Sequence, residues 1–509
     1  MAVAVTLRSP AAVVGWALMV AMGACTIDHH GQRYEASFEA VACPPEVSVV
    51  SVSPISCGYV IVPENRSQPG GRTVRIFVFR IAPDGPPTGP PVLYVGGEIG
   101  FSFDYTNVND VARTLPGHEL IAVELRGTGH SEPNLSCPEV EALSGRARAE
   151  PIDDAGMRAA FLAAVASCRA RIAAQGIDPT DFDIPALGAD ILDVTGALGL
   201  GDWEILSKGS TSRAVFEAMR SNPPGLGGVV LYNPEFPDTD PFVQAFESTR
   251  ASVTHLADMC DADQACRRHF PSVHADMQLA IDRLQASPVR VRSGGAAVLM
   301  DGAALLRSLR QRLSSMPAQS NDLPATITAI AHDGDITGTL THLAAQDASY
   351  QIYCGGYLPT CPLNLNQGAY YSVLCRDEEP FADVGTLSRL AAGVRSWSAD
   401  YVESPYLDAC NAWDVQPGGR EVTEPITSDV PVFIESGSLS PFMSPAAIRA
   451  GITGLADVSI GISTVHNDGG FFDRPDCPDL RLSFLDDPQA PVDSRCYEEG
   501  RLRFSTSPM

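Results

Sequence analysis

Two hydrophobic periods divide this chain. Short apolar runs at residues 92–95 (VLYV), 120–124, 203–206, 229–232 (VVLY), 430–434 and 458–462 have the length of buried strands, and residues 75–82 (RIFVFRIA) alternate as a strand does. Helical spacing lies between them. Residues 189–200 place Ile191, Val194, Ala197 and Leu198 on one face, residues 214–219 (AVFEAM) repeat the pattern, and residues 445–454 form a further helix. Strands alternating with helices predict an α/β chain with a mostly parallel central sheet. From about 240 to 425 the pattern changes to helices and loops.

Composition narrows the picture. A chain of 509 residues with 45% hydrophobic and 19% charged residues can bury a large core, as several domains or as one with an insertion. A net charge of −26 argues against a nucleic-acid partner. The only lysine is Lys208. Residues 1–25 read as an export signal, with Arg8 ahead of an apolar run at 10–24 that is short for a membrane span. The run ends Met22-Gly23-Ala24-Cys25, which resembles a bacterial lipobox and predicts lipidation at Cys25. Ordinary cleavage nearby, leaving Cys25 as an odd thiol, is the alternative.

There are 13 cysteines, and setting Cys25 aside leaves an even number, as an oxidising compartment favours. Proximity in sequence suggests Cys43–Cys57, Cys137–Cys168, Cys260–Cys266, Cys354–Cys361, Cys375–Cys410 and Cys477–Cys496. No C-x-x-C pair exists and the histidines are not clustered near cysteines, so no metal and no cofactor are expected. The expected location is outside the cytoplasm, anchored by lipid on the outer face of the membrane or secreted.

The chemistry centres on residues 203–213, WEILSKGSTSR. A short strand runs into a small-residue turn, then a helix, then another strand, which is the setting of a nucleophile elbow. The stretch resembles the elbow of tripeptidyl-aminopeptidase-like and proline-iminopeptidase-like α/β-hydrolases, roughly W-x-L-x-G-x-S-Y-G-T-R. Trp203 and Arg213 align without a gap, so Gly209 stands in the nucleophile's place. Glycine tolerates the positive φ of an elbow while removing the attacking oxygen.

The rest of the resemblance runs from about residue 40 to the end. Residues 59–65 (YVIVPEN) resemble the family's opening segment, and residues 124–133 (ELRGTGHSEP) match D-x-R-G-x-G-x-S-x-P, a structural turn in which Arg126 can tie neighbouring backbone together. Gly96-Gly97-Glu98-Ile99 replaces the G-G-P-G loop that supplies an oxyanion-hole N–H, so Gly97, Glu98 and Ser210 form the expected oxyanion region. A carboxylate there opposes oxyanion charge, unless Glu98 points to solvent. The catalytic-acid slot reads Ser440, and His466 falls on the catalytic histidine. The resemblance implies an α/β-hydrolase fold with a largely helical cap: core at 26–240, cap at 241–425, core again at 426–509.

Glycine, serine and histidine in the three slots do not make a triad. The chain therefore reads as a relative inactive in catalysis that binds a peptide, lipid or envelope partner in the old pocket, with a peptide or acyl compound as ligand. The alternative is an active serine aminopeptidase or esterase with a relocated nucleophile such as Ser210 working with His466. Ser207 belongs to the strand end on this reading. Glu235 could supply an acid after the preceding strand, and Lys208 could be locally paired or solvated.

Overall fold

The computed structural model describes residues 34–48, 53–143, 146, 149–150, 155–314, 320–349, 365–392, 405–464, 477–499 and 502–505. His466, Cys25, Cys354 and Cys361 lie outside the described residues.

The strands are β1 (Ser37–Val41), β2 (Ile55–Pro63), β3 (Thr73–Ile81), β4 (Val92–Val95), β5 (Leu120–Val123), β6 (Trp203–Lys208), β7 (Leu226–Tyr232), β8 (Val289–Ser293), β9 (Ala296–Met300), β10 (Val432–Gly437) and β11 (Val458–Ser463). Nine of them form one sheet in the order β1-β2-β3-β5-β4-β6-β7-β10-β11. The pairs β1/β2, β2/β3 and β3/β5 are antiparallel; every pair from β5 through β4, β6, β7 and β10 to β11 is parallel. This mostly parallel sheet flanked by helices, with a sharp turn leaving β6, is the α/β-hydrolase fold.

Alternation along the strands explains the layering. In β3, Val74, Ile76 and Val78 enter one hydrophobic cluster, while Phe77, Phe79 and Ile81 enter another on the opposite face. Both faces are thus covered, as a largely parallel sheet requires. The helix Ile184–Ala197 begins where the Asp183 side chain accepts the Ala186 N–H, a few residues before its apolar periodicity is evident in the sequence.

Between β7 and β10 lie helices, beginning with Pro241–Ala262, and one hairpin. The segment has its own hydrophobic cluster, with Leu256, Ile281, Leu305, Ile327 and Leu340 fully buried. The helices agree with the expected pattern. The hairpin β8–β9 was not expected; it turns through Gly294 and Gly295, both at positive φ, as a two-residue turn requires.

Cross-links and one arginine hold the parts together. Five expected disulfides are present: Cys43–Cys57, Cys137–Cys168, Cys260–Cys266, Cys375–Cys410 and Cys477–Cys496. They fit an exported protein. No helix among the described residues is long and apolar enough to cross a membrane. Arg126, 1% exposed, grips both carboxylate oxygens of Asp190 at 2.6 and 2.7 Å and donates to the carbonyls of Glu64 and Asp181. It ties backbone together as the motif implied.

Candidate active site

Strand β6 delivers the site. Its residues Trp203, Ile205 and Leu206 are buried, and Trp203 Nε1–H donates to the Pro224 carbonyl at 3.1 Å. The chain leaves β6 at Lys208, turns through Gly209 at φ +61°, and enters the helix Ser212–Met219. Hydroxyls lock this turn. Ser212 Oγ donates to the Gly209 carbonyl at 2.7 Å, and Thr211 Oγ1 lies 2.7 Å from the Lys208 carbonyl and 2.9 Å from that of Val95 on β4. The geometry is that of a nucleophile elbow with glycine at its apex. Ser207 is fully buried against Thr211 Oγ1 at 3.0 Å and belongs to the strand end, as expected.

Glu98 does not point to solvent. A Cβ built on Gly209 would lie 2.1 Å from Glu98 Oε1 and 2.6 Å from its Cδ. The carboxyl group therefore fills the space a serine side chain would need. Its other oxygen, Oε2, accepts the Ser210 backbone N–H at 2.8 Å and the Ser210 hydroxyl at 2.5 Å. In an elbow, the N–H after the nucleophile is one half of the oxyanion hole. Here that donor already holds a carboxyl group belonging to the chain. Ser210 Oγ also accepts the Ile99 N–H at 2.9 Å, so its hydroxyl spans two partners within the loop. Gly97, at φ +93°, lets the loop turn toward the elbow.

Two more glutamates face the same space. Asn233, at φ +45°, closes β7 and accepts the Ser436 hydroxyl at 2.5 Å; Glu235 follows, its N–H bonded to Ser212 Oγ at 2.8 Å. Glu378 comes from the segment between β7 and β10 and pairs with Arg213 on the elbow helix at 3.0 Å. Glu98, Glu235 and Glu378 line one cleft of about 700 Å³, open mouth included, with Gly209, Ser210, Lys208, Tyr370, Phe442 and Met443 among its walls. Lys208 Nζ lies 5.7 Å from the Tyr232 ring centroid, a cation–π arrangement beside the cleft.

Burial raises the proton affinity of all three carboxyls. They differ in what opposes it. For Glu98, the two Ser210 hydrogen bonds and the Lys208 charge favour the anion. Glu235 is pushed well above the usual carboxylate range, by burial first and then by Glu98 and Glu378, with only the Arg213 charge opposing. For Glu378, Arg213 opposes burial by charge and hydrogen bond. All three carboxyls are thus shifted toward the protonated form, Glu235 furthest because only the Arg213 charge opposes its burial.

The acid slot contributes no carboxylate. Ser440 is 1% exposed and its Oγ accepts the Met443 N–H at 3.3 Å, which shapes the turn after β10. The structure brings Gly209, Glu98, Ser210, Lys208 and Glu235 together. Glu378 and Tyr370 were missed by sequence reasoning. A signal existed for Glu378: Arg213 lies in the first turn of a buried helix and needs an acidic partner, and Glu378 follows closely after Cys375.

No protein-family model matches the sequence. Over 107 residues the chain is 33% identical to the tripeptidyl aminopeptidase of Streptomyces lividans and 32% identical to that of Streptomyces coelicolor, covering 19% of this chain in each case. The match spans 20% of the length of these relatives. Among solved structures, the chain aligns with the proline iminopeptidase of Mycobacterium smegmatis (TM-score 0.37, 13% identity, 84% of this chain and 97% of that one). It also aligns with an alpha/beta hydrolase fold protein from Chitinophaga pinensis (TM-score 0.33, 13% identity, 86% and 97%).

Proposed function

We propose that this α/β-hydrolase-fold chain, similar in part to the tripeptidyl aminopeptidases, is an exported protein that has lost serine acyl-transfer chemistry and keeps the pocket as a binding site. One observation carries the reading: the Glu98 carboxyl occupies both the volume of the missing nucleophile and its oxyanion donor. A tetrahedral oxyanion would have to displace a carboxylate from Ser210 N–H, and no serine stands at the apex to create one. The ligand is a peptide or acyl compound, or an envelope partner presenting one. Five disulfides support export, and Cys25 is the proposed lipid anchor on the outer face of the membrane. The reading in which Ser210 replaces the nucleophile is weakened by its hydroxyl's commitment to Glu98 and the Ile99 N–H.

The test is labelling by a fluorophosphonate probe together with hydrolysis of aminoacyl-, tripeptidyl- and short-acyl-ester reporters. Wild-type protein should be silent in both. Restoration needs three changes, Gly209→Ser, Ser440→Asp and Glu98→Ala, because a serine at 209 collides with Glu98. Turnover by the triple variant would support the slot assignments. A fluorophosphonate adduct on wild-type Ser210, lost with His466→Ala, would overturn the proposal.

A further inference from the structure

The space vacated at the elbow is refilled by a group that is itself a nucleophile. Carboxylates attack carbon in several enzyme classes when one is held at the reacting centre and its product can be cleared. Glu98 is held by one oxygen only. Oε2 takes both Ser210 donors, whereas Oε1, the oxygen nearest the missing side chain of Gly209, receives no hydrogen bond among the described residues. Oε1 therefore presents unshared electron pairs where a serine Oγ would stand. Glu235 lines the same cleft, and its carboxyl also takes no hydrogen bond among the described residues. Ile99, Val373, Leu374, Phe442 and Met443 supply apolar wall.

We propose that Glu98 is a nucleophile and that this cleft opens small apolar epoxides to diols, with Glu235 delivering and recovering the proton. The inference rests on the preceding reading, in which serine chemistry is absent. Oε1 attacks an epoxide carbon, and that carbon's bond to the ring oxygen breaks. The ring oxygen takes the proton of Glu235, leaving a hydroxyalkyl ester on Glu98 and a carboxylate on Glu235. Oε2 is now the ester carbonyl oxygen and already sits on Ser210 N–H and Oγ–H, the donors that stabilise the next oxyanion. Glu235 takes one proton from a water whose oxygen attacks the ester carbon. The acyl–oxygen bond breaks, the departing alkoxide receives the water's other proton, and Glu98 is again a carboxylate.

The substrate class follows from the walls. A departing halide would take up no proton from Glu235, whereas an epoxide oxygen takes that proton and leaves neutral, which gives Glu235 its part in the step. The apolar part of the wall, Ile99, Val373, Leu374, Phe442 and Met443, suits an apolar substituent on the epoxide, beside the polar Lys208, Ser210, Asn233 and Tyr370.

The experiment incubates the full chain with phenyl glycidyl ether and follows diol formation and the intact mass. Expected are diol above the buffer rate, an ester adduct mapped to Glu98 after acid quench, and, in one turnover in heavy-oxygen water, label in Glu98 and not in the diol. Glu235→Gln should slow diol formation by about 10²-fold or more. Wild-type protein giving neither adduct nor diol would overturn the proposal, and so would diol formation unchanged in Glu98→Gln. Such failure leaves the loss of serine chemistry standing; only a fluorophosphonate adduct on Ser210 removes that.

Discussion

A side chain on Gly209 would have to share space with the Glu98 carboxyl and adopt φ +61°. Gly209→Ala should therefore lower the unfolding free energy by roughly 3 kcal/mol, combining left-handed strain with overpacking. In a Glu98→Ala background the same substitution should lose only about 1 kcal/mol, the strain alone. Denaturant titration of the four proteins in the cycle measures the difference, and additivity would show that the two residues do not meet. Glu124 offers a second test at this scale. It is 2% exposed, accepts the His130 N–H and the Tyr105 hydroxyl, and burial nonetheless raises its pKa to about 7 from an ordinary 4.5. A folded-state value above the unfolded one means the native state binds the extra proton. Its contribution is complete below the ordinary value and is lost as pH rises through about 7, a change of roughly 3 kcal/mol. Unfolding midpoints measured between those values should fall with pH in the wild type and flatten in Glu124→Gln.

At the scale of elements, the elbow helix and the segment inserted between β7 and β10 meet at one buried ion pair. Arg213, 3% exposed, holds Glu378, and Cys375 close by is bonded to Cys410 on the helix Pro405–Trp413. Arg213→Met leaves Glu378 without its cation and should cost about 3–5 kcal/mol; Arg213→Met with Glu378→Leu should recover most of it. Replacing both Cys375 and Cys410 by serine should lower stability by about 3 kcal/mol, read from the denaturant midpoint. Elements were legible where a pattern was strong. Residues 92–95 and 203–206 read as buried strands because their apolar runs are short and bounded by turns. The hairpin β8–β9 escaped notice although Gly294-Gly295 sits between VRVRS and AAVLM, since a helix-rich neighbourhood drew attention to the longer period. Strand β1 escaped for another reason. Its residues are mostly exposed, and it exists by pairing antiparallel with β2 at the sheet edge, information that no local periodicity carries.

For the molecule as a whole, the fold could be read from strand–helix alternation plus the elbow and the ELRGTGHSEP turn. Five disulfides could be read from proximity. The site was half legible. The loss of a serine at 209 and of an acid at 440 is written in the sequence, whereas the inward turn of Glu98 is a packing fact: two glycines before it and a vacant apex opposite it decide where a carboxyl goes. The approach of Glu378 and Tyr370 depends on how residues 369–375, far along the chain, pack into the same core as the sheet, which sequence spacing does not encode. Among the charges gathered at this cleft, one has a use at the bench. Lys208 is the only lysine in the chain and stands in the cleft wall. An amine-selective reagent thus meets one ε-amino group, so a single isotopically methylated lysine resonance becomes an intrinsic reporter of occupancy, with no assignment problem and no engineered tag.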